Sequence, residues 1–271
     1  MRIIDVHSHI YPDKIADKAS RSIADFYHID ARARGTAEVL LAEGREAGIT
    51  AYVVNSVATN VRQVRHINEF ILAETKAHPE FYGLIALHPD MDEGAIRDEI
   101  EWGILNGFKG IKLHPDFQHF YLDEDRAKKI YRAASGKLPI LFHTGDSRFN
   151  FSSPRRMAKV AADFPDLICI AAHFGGWSEW HEVGVYKGLG NVYVDTSSTL
   201  AFISPDEAKK FIDFFGAEWF LFGVDFPMWN ASEELERFMR VELSEEEREA
   251  ILYKNTAKLL GIDLCQSGVL T

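Results

Sequence analysis

Residues 2–12 read RIIDVHSHIYP, a run of β-branched and other apolar residues that leads into two histidines. The run predicts a buried β-strand over residues 2–7. The turn that follows it contains no GxGxxG pattern, which a dinucleotide-binding, doubly wound sheet would place after its first strand. The opening segment therefore argues against an open doubly wound sheet.

Seven further strand-like runs follow along the chain. They cover residues 49–55, 81–87, 108–114, 138–143, 166–172, 191–197 and 218–224. The segments between them carry helix-start signals, such as the capping boxes that begin at Ser204 and Ser244. Strands that alternate with helices are typical of a parallel sheet. Because no Pro/Gly/Ser-rich linker interrupts the pattern, it predicts a single α/β domain over residues 1–271, a (β/α)8 TIM barrel with residues 11–35 as an inserted loop and helix.

Composition narrows the classes of partner. The chain has 271 residues and a formal net charge of −11, and no basic run that would suit nucleic acid or an anionic membrane surface. No apolar run is long enough to span a bilayer. Cys169 and Cys265 lack CxxC spacing and the start does not resemble a signal peptide, so we expect a reduced, cytoplasmic protein. A small-molecule substrate is the expected partner, and homo-oligomerisation stays open.

Polar side chains gather where the predicted strands end. They are His7, His9, Asn55, Lys112, His114, His143, His173 and Asp225. In a parallel barrel the carboxyl ends of the strands build the active site. Residues i and i+2 of a strand point the same way, so His7 and His9 should project together. Imidazole nitrogens with one carboxylate suit Zn²⁺ or a neighbouring first-row ion, and joint metal binding explains this set better than separate structural roles.

Five ordered segments of the chain form a recognisable set. They are IIDVHSHIYP at 3–12, GFKGIKLHP at 107–115, LPILFHTG at 138–145, AAHFGG at 171–176 and FGVDFP at 222–227. This set resembles the amidohydrolase superfamily, most closely its amidohydrolase-2 branch, which includes decarboxylases similar to aminocarboxymuconate semialdehyde decarboxylase. The resemblance spans the first to the eighth strand. It implies a divalent metal held by His7, His9, His143 and Asp225, with His173 as a further ligand or a catalytic group.

The resemblance implies two activities that the ligand types do not separate. The first is hydrolysis of a small polar amide, lactone or related substrate by metal-activated water, with Asp225 moving the proton and His173 stabilising the oxyanion. The alternative is decarboxylation of an unsaturated or aromatic carboxylic acid with the same residues. A third hypothesis is a barrel that binds a ligand without catalysis, although such a barrel would not need this complete set of ligands.

The number of metal ions depends on Lys112. The segment GIKLHP resembles the strand of binuclear relatives in which a carboxylated lysine bridges two metals, so Lys112 and His114 are candidates for a second ion or for binding the substrate. An outward salt bridge of Lys112 is the plainer interpretation. We favour one ion over two, with Zn²⁺ ahead of Mn, Fe or Ni.

Three residues after the strands are candidate substrate contacts. Arg148 is placed to clamp a carboxylate with its guanidinium fork. Trp177 and Trp229 are placed to wall an aromatic or unsaturated substrate. Each also has an ordinary structural interpretation, a solvated helix start for Arg148 and packing for the tryptophans.

Overall fold

The structure, a computed structural model, describes residues 2–30 and 32–263, so Cys265 lies outside the described residues. Its strands are β1 (Ile4–His9), β2 (Ala51–Asn55), β3 (Phe81–Ala86), β4 (Gly110–Leu113), β5 (Ile140–Phe142), β6 (Cys169–Ala171), β7 (Val192–Asp195) and β8 (Phe220–Leu221). They follow one another in sheet order from β1 to β8. All eight predicted strands are confirmed, with ends that differ by a few residues from the prediction.

A 3-10 helix (Trp180–Tyr186) lies between β6 and β7, and α-helices separate the other strands. Within the described residues they are α1 (Asp13–Tyr27), α2 (Ala37–Ala47), α3 (Val64–Ala77), α4 (Glu93–Leu105), α5 (Pro115–Gln118), α6 (Asp125–Ala134), α7 (Pro154–Asp163), α8 (Pro205–Phe215), α9 (Ala231–Met239), α10 (Glu245–Glu249) and α11 (Asn255–Leu260). The alternation confirms the predicted (β/α)8 fold class. The predicted extra helix of residues 11–35 is α1. Among the described helices, none combines the length and the apolar character that a membrane span requires.

Both predicted capping boxes form. Ser204 accepts the backbone N–H of Glu207 at 3.3 Å, and the Glu207 carboxylate accepts the backbone N–H of Ser204 at 2.9 Å. Ser244 and Glu247 make the same reciprocal pair at the start of α10. Each pair satisfies two backbone donors that a helix start leaves without intrahelical partners.

Contacts divide the chain into two compact units. Unit 1 contains the described residues of 1–55, 74–82 and 196–271, and unit 2 contains residues 56–73 and 83–195. In unit 1, β1 and β2 run parallel, with Asp5 opposite Tyr52 and Ser8 opposite Val54. Two residues of β1, Val6 and His7, therefore face one residue of β2. Such a bulge re-aims the side chains around it, and here it falls on His7.

In unit 2, strands β4 to β7 pair in parallel through apolar residues. Ile111 lies opposite Ile140, and Phe142 lies opposite Ala171. These side chains are fully buried, as expected for a parallel sheet with both faces covered. Polar residues follow the carboxyl ends of these strands. His143 comes directly after β5, and His173 comes two residues after β6. That the whole chain forms a single domain stays a prediction.

Candidate functional site

Three potential metal ligands of unit 1 lie together. The Nε2 atoms of His7 and His9 are 3.1 Å apart. Asp225 Oδ1 lies 3.5 Å from Nε2 of His7 and 3.3 Å from Nε2 of His9. The rings of both histidines are buried and the carboxylate is 13% exposed. Alternation along β1 predicts that the two imidazoles project together, and the described structure has them so.

The spacing of these three atoms fits a cation. Ligand atoms bound at about 2.1 Å to one ion, at angles between a right angle and the tetrahedral angle, lie about 3.0 to 3.4 Å from one another. The observed separations are 3.1, 3.3 and 3.5 Å. Two neutral imidazoles and a carboxylate are also the donor types that divalent first-row metals bind. These three residues form a candidate metal-binding group.

The orientation of His7 is set by neighbours on both sides of its ring. Its Nδ1 lies 3.1 Å from the hydroxyl of Ser197, so Nε2 is the nitrogen that points towards His9 and Asp225. A hydrogen bond at the other ring nitrogen is the usual way in which a metal-binding histidine is held. Gly223 leaves the necessary room, because a Cβ there would lie 3.2 Å from Cβ of His7.

Asp225 is held through its other oxygen. The Ser198 hydroxyl donates to Oδ2 at 2.5 Å, and the indole N–H of Trp229 donates to that hydroxyl at 2.8 Å. Asp225 and Ser198 both adopt positive φ, 68° and 49°. The negative charge of Asp225, together with burial, which is the larger cause, raises the pKa of nearby Tyr11. Tyr11 therefore stays protonated at neutral pH.

Unit 2 holds a second group of histidines. His143 Nδ1 lies 3.0 Å from His173 Nε2, and His143 Nε2 lies 2.9 Å from the carbonyl oxygen of Gly145. The backbone N–H of His173 donates to the Asp195 carboxylate at 2.9 Å. Trp180 donates its indole N–H to the His173 carbonyl oxygen at 3.0 Å. The two rings thus contact each other, and the backbone of His173 is held by Asp195 and Trp180.

The buried carboxyl group of Asp116 lies close to the ring of His143. Asp116 Oδ2 is 3.7 Å from Nε2 of His143 and accepts the hydroxyl proton of Ser152 at 2.6 Å. Burial raises the pKa of Asp116 to about 7, against the lowering effect of the Ser152 hydrogen bond. The ring of His114 stacks on that of His143 with centroids 4.0 Å apart. His114, Asp116 and His143 form another candidate metal-binding group.

Lys112 is buried at the end of β4, with 1% of its surface exposed. The Lys112 side chain is therefore shielded from solvent. Both faces of a parallel barrel strand are covered, so the outward salt bridge and the inward position both stay predictions. Its role towards a second ion or a substrate stays a prediction.

Arg148 lies on the loop after β5, where Asp146 engages its guanidinium fork. Nε donates to Oδ1 at 3.0 Å and Nη2 to Oδ2 at 2.7 Å. The guanidinium carbon is 5.7 Å from the ring of Trp177. A substrate carboxylate would share Arg148 with Asp146. Trp229, the third substrate candidate, lies in unit 1 on the hydrogen bond to Ser198 described above.

The sequence analysis missed the polar residues at the end of β7 and directly after it. Asp195 fixes the backbone of His173, Ser197 contacts His7, and Ser198 contacts Asp225. A signal for them was present, because DTSST at residues 195–199 is a polar run at a strand end, as at the other strands. It lacks histidine, so a search for metal ligands passes over it.

A model of the amidohydrolase-2 family, described as amidohydrolase, matches residues 4–262. The chain belongs to this family. The match confirms the resemblance inferred from the five motifs, and with it the coarse activity class, an enzyme of the amidohydrolase superfamily. No curated protein sequence matches the chain.

Solved structures similar to this amidohydrolase-family chain share its fold. An uncharacterised TIM-barrel protein from Bordetella bronchiseptica has a TM-score of 0.77 at 21% identity, over 99% of this chain and 100% of that one. A 2,6-dihydroxybenzoate decarboxylase complexed with 2,6-dihydroxybenzoate has a TM-score of 0.73 at 19% identity, over 97% and 100%. A 5-carboxyvanillate decarboxylase from Novosphingobium aromaticivorans, with manganese and 4-hydroxy-3-methoxy-5-nitrobenzoic acid, has a TM-score of 0.75 at 18% identity, over 96% of each chain.

Proposed function

We propose that this protein is a metal-dependent decarboxylase of an aromatic carboxylic acid. The observation that carries the metal dependence is the mutual approach of the His7, His9 and Asp225 ligand atoms, at 3.1 to 3.5 Å. The decarboxylases among the similar structures support this alternative better than the hydrolysis that the sequence favoured. Hydrolysis would use the same types of metal ligand, so the experiment below must distinguish hydrolysis from decarboxylation.

His7, His9 and Asp225 would hold one divalent ion, and His143 is the fourth ligand that the family resemblance implies. When bound, the ion supplies positive charge that draws the oxygen atoms of the substrate and stabilises the negative charge left by bond cleavage. Manganese is the first metal to test, since the 5-carboxyvanillate decarboxylase contains it. Zn²⁺ follows, because imidazole and carboxylate donors suit both.

In the proposed reaction the bond between the ring and its carboxylate breaks, CO₂ leaves, and the electron pair stays on the ring carbon, which takes up one proton. Asp225 is the proposed proton carrier, because its carboxylate lies at the ligand group where the reaction is proposed to occur. The ring of His173 is proposed to stabilise the negative charge that develops on the substrate. Its hydrogen bond to His143 keeps that ring in one orientation.

Substrate contacts are proposed for three further side chains. Arg148 would bind a substrate carboxylate or phenolate through its guanidinium group, which Asp146 holds in place. Trp177 would offer its ring face, beside the Arg148 guanidinium. Lys112 would add a buried positive charge for the anionic substrate.

The proposal is tested with the full chain stripped of metal and reloaded with Mn²⁺. The substrates are 2,6-dihydroxybenzoate and 5-carboxyvanillate, together with a panel of lactones and amides, and the readouts are release of CO₂ and ring opening. We expect CO₂ from at least one aromatic acid in the loaded enzyme and none without metal. Asp225→Asn, which keeps the size of the side chain, should lose turnover while the far-ultraviolet circular dichroism stays unchanged.

Two results would contradict the proposal. Opening of a lactone or amide without any CO₂ release would assign the protein to the hydrolases. A wild-type chain that neither retains Mn²⁺ or Zn²⁺ nor changes its melting temperature when either is added would support the ligand-binding barrel without catalysis, because binding to the native state must raise stability.

A further inference from the structure

Two hydrogen bonds in series reach Asp225 from the loops that follow β7 and β8. Trp229 Nε1 lies 2.8 Å from Ser198 Oγ, and Ser198 Oγ lies 2.5 Å from Asp225 Oδ2. An indole N–H is a donor only, so the serine oxygen must accept from it. The single hydroxyl proton of Ser198 is then left for the carboxylate. The direction of both hydrogen bonds is thereby fixed.

The second hydrogen bond, from Ser198 to Asp225, engages one oxygen of the carboxylate. It occupies Oδ2, while Oδ1 is the oxygen that lies 3.3 Å from His9 Nε2. The carboxylate therefore has one oxygen for the ligand group and one for its support. Without that support, rotation about the Cβ–Cγ bond would exchange the two oxygens.

The backbone on both sides is shaped for this contact. Ser198 and Asp225 both have positive φ, which is uncommon for residues other than glycine. The preceding residue, Ser197, contacts His7 Nδ1 at 3.1 Å. Two consecutive serines thus contact two of the three ligand residues. Each serine contacts the atom that faces away from the ligand group, so His7 Nε2 and Asp225 Oδ1 face the other ligands.

Trp229 is itself held from two sides. The ring of Phe202 meets it edge-on, with centroids 5.7 Å apart and an interplanar angle of 90°. The guanidinium carbon of Arg237 lies 5.5 Å from its centroid, and Arg237 also pairs with Glu233 at 3.1 Å. A clamped indole is a precise donor, because its N–H has little freedom to leave the serine oxygen.

We propose that Ser198 and Trp229 are positioning residues for Asp225, which fix its carboxylate so that Oδ1 is presented to the metal. This inference rests on the proposed function, and it gives Trp229 a role other than the substrate wall that the sequence predicted. Hydrogen-bonded supports of metal ligands contribute about 10- to 100-fold to metal affinity. Loss of either residue should therefore weaken metal binding before it affects substrate binding.

The test measures Mn²⁺ affinity by calorimetry on the metal-stripped full chain. Trp229→Phe removes the N–H and keeps an aromatic ring between Phe202 and Arg237. Ser198→Ala removes the hydroxyl. We expect each variant to bind Mn²⁺ about 10- to 100-fold more weakly than the wild type, with a lower kcat and a KM within about twofold. The double variant should be no weaker than the weaker single variant, because both substitutions break the same series of bonds.

A loss of folding is separated from a loss of positioning by Ser198→Gly. Glycine adopts positive φ without strain, so this variant should fold at least as well as Ser198→Ala while lacking the same hydroxyl. The melting temperature of the metal-free protein should be retained, and the Mn²⁺ affinity should fall as in Ser198→Ala. Matched controls are Ser232→Ala, at the exposed start of α9, and Trp219→Phe, at the amino end of β8. Both should keep wild-type affinity.

The outcomes distinguish the two proposals. A wild-type chain that binds no Mn²⁺ contradicts the proposed function. A wild type that binds Mn²⁺, with Ser198→Gly and Trp229→Phe binding equally well, overturns the inference alone. A Trp229→Phe variant with unchanged Mn²⁺ affinity and a raised KM would return Trp229 to the substrate wall.

Discussion

Asp5 lies fully buried two residues before His7, and its Oδ1 accepts the backbone N–H of His7 at 3.0 Å. The same oxygen accepts the backbone N–H of Val224, the residue before Asp225, at 2.9 Å. Its other oxygen accepts the Ser8 hydroxyl at 2.5 Å. One carboxylate thus joins β1 to the segment after β8, and it fixes the backbone of two proposed ligands.

Asp5→Ala should therefore weaken both folding and metal binding. It leaves three buried donors without their acceptor, each at a cost of about 1–3 kcal/mol, so we expect the free energy of unfolding to fall by at least about 3 kcal/mol. Asp5→Asn keeps one oxygen for the two backbone donors and should lose much less. Urea unfolding of the metal-free chain and Mn²⁺ titration measure the two effects. Equal losses in both variants would mean that these hydrogen bonds are not the cause.

Gly44→Ala, in the middle of α2, should destabilise the protein, although alanine is ordinarily the better helix former by about 1 kcal/mol. A Cβ at this position would lie 1.7 Å from the buried Tyr52 Oη and 2.5 Å from its Cζ. We expect a loss of at least about 2 kcal/mol from overpacking. Gly94→Ala in α4 is the matched control, because a Cβ there meets nothing within 4 Å. The control should be neutral or stabilising, and a thermal melt in which Gly44→Ala matches it would refute the clash.

Glu234 makes stability depend on pH. It is buried in α9, and burial raises its pKa from the ordinary 4.5 to about 7, which outweighs its ion pair with Arg237. Because the folded state then binds the proton more tightly than the unfolded state, this contribution to stability is present below about pH 4.5 and is lost as pH rises to about 7. A rise in the pKa of this size corresponds to about 3 kcal/mol.

Glu234→Gln removes this dependence. Between pH 5 and pH 8, the fall in the unfolding free energy should be smaller in the variant than in the wild type, by an amount approaching about 3 kcal/mol. Urea unfolding at both pH values measures it. Glu233→Gln, on the exposed partner of Arg237, is the control and should follow the wild type. Parallel pH profiles for Glu234→Gln and the wild type would count against the raised pKa.

Lys112→Met tests the number of ions. The proposed single ion predicts one Mn²⁺ per chain both in the wild type and in the variant, because its ligands do not include Lys112. Methionine is close in size to the buried lysine stem, so the packing around β4 should hold. Elemental analysis of purified protein gives the stoichiometry. Two ions in the wild type and one in the variant would establish the binuclear alternative.

The fold followed from local patterns. Each β-branched run became a strand, and each capping box at Ser204 and Ser244 began a helix, because these signals depend on neighbouring residues alone. The pair of His7 and His9 was equally readable, since alternation along a strand fixes which side chains share a direction. The family followed from five motifs whose order and spacing are properties of the chain.

The contacts that position the side chains of the site could not be predicted from the sequence. The bulge at His7 arises from the register between β1 and β2, which no single strand specifies. The burial of Lys112 likewise depends on elements that only folding brings around β4. The sequence predicted that Arg148 clamps a substrate carboxylate, and it did not indicate that the guanidinium group donates to Asp146.

The sequence by itself determined the strand and helix order, the family, and the donor types offered at the strand ends. Tertiary structure alone decided which oxygen of Asp225 faces the histidines, since that depends on Ser198, 27 residues earlier in the chain. It also decided that Asp5 joins His7 to Val224, 219 residues away from Asp5. Secondary structure is encoded by short-range steric preferences and hydrogen bonding. The orientation of a side chain depends on partners that only folding brings within hydrogen-bond distance.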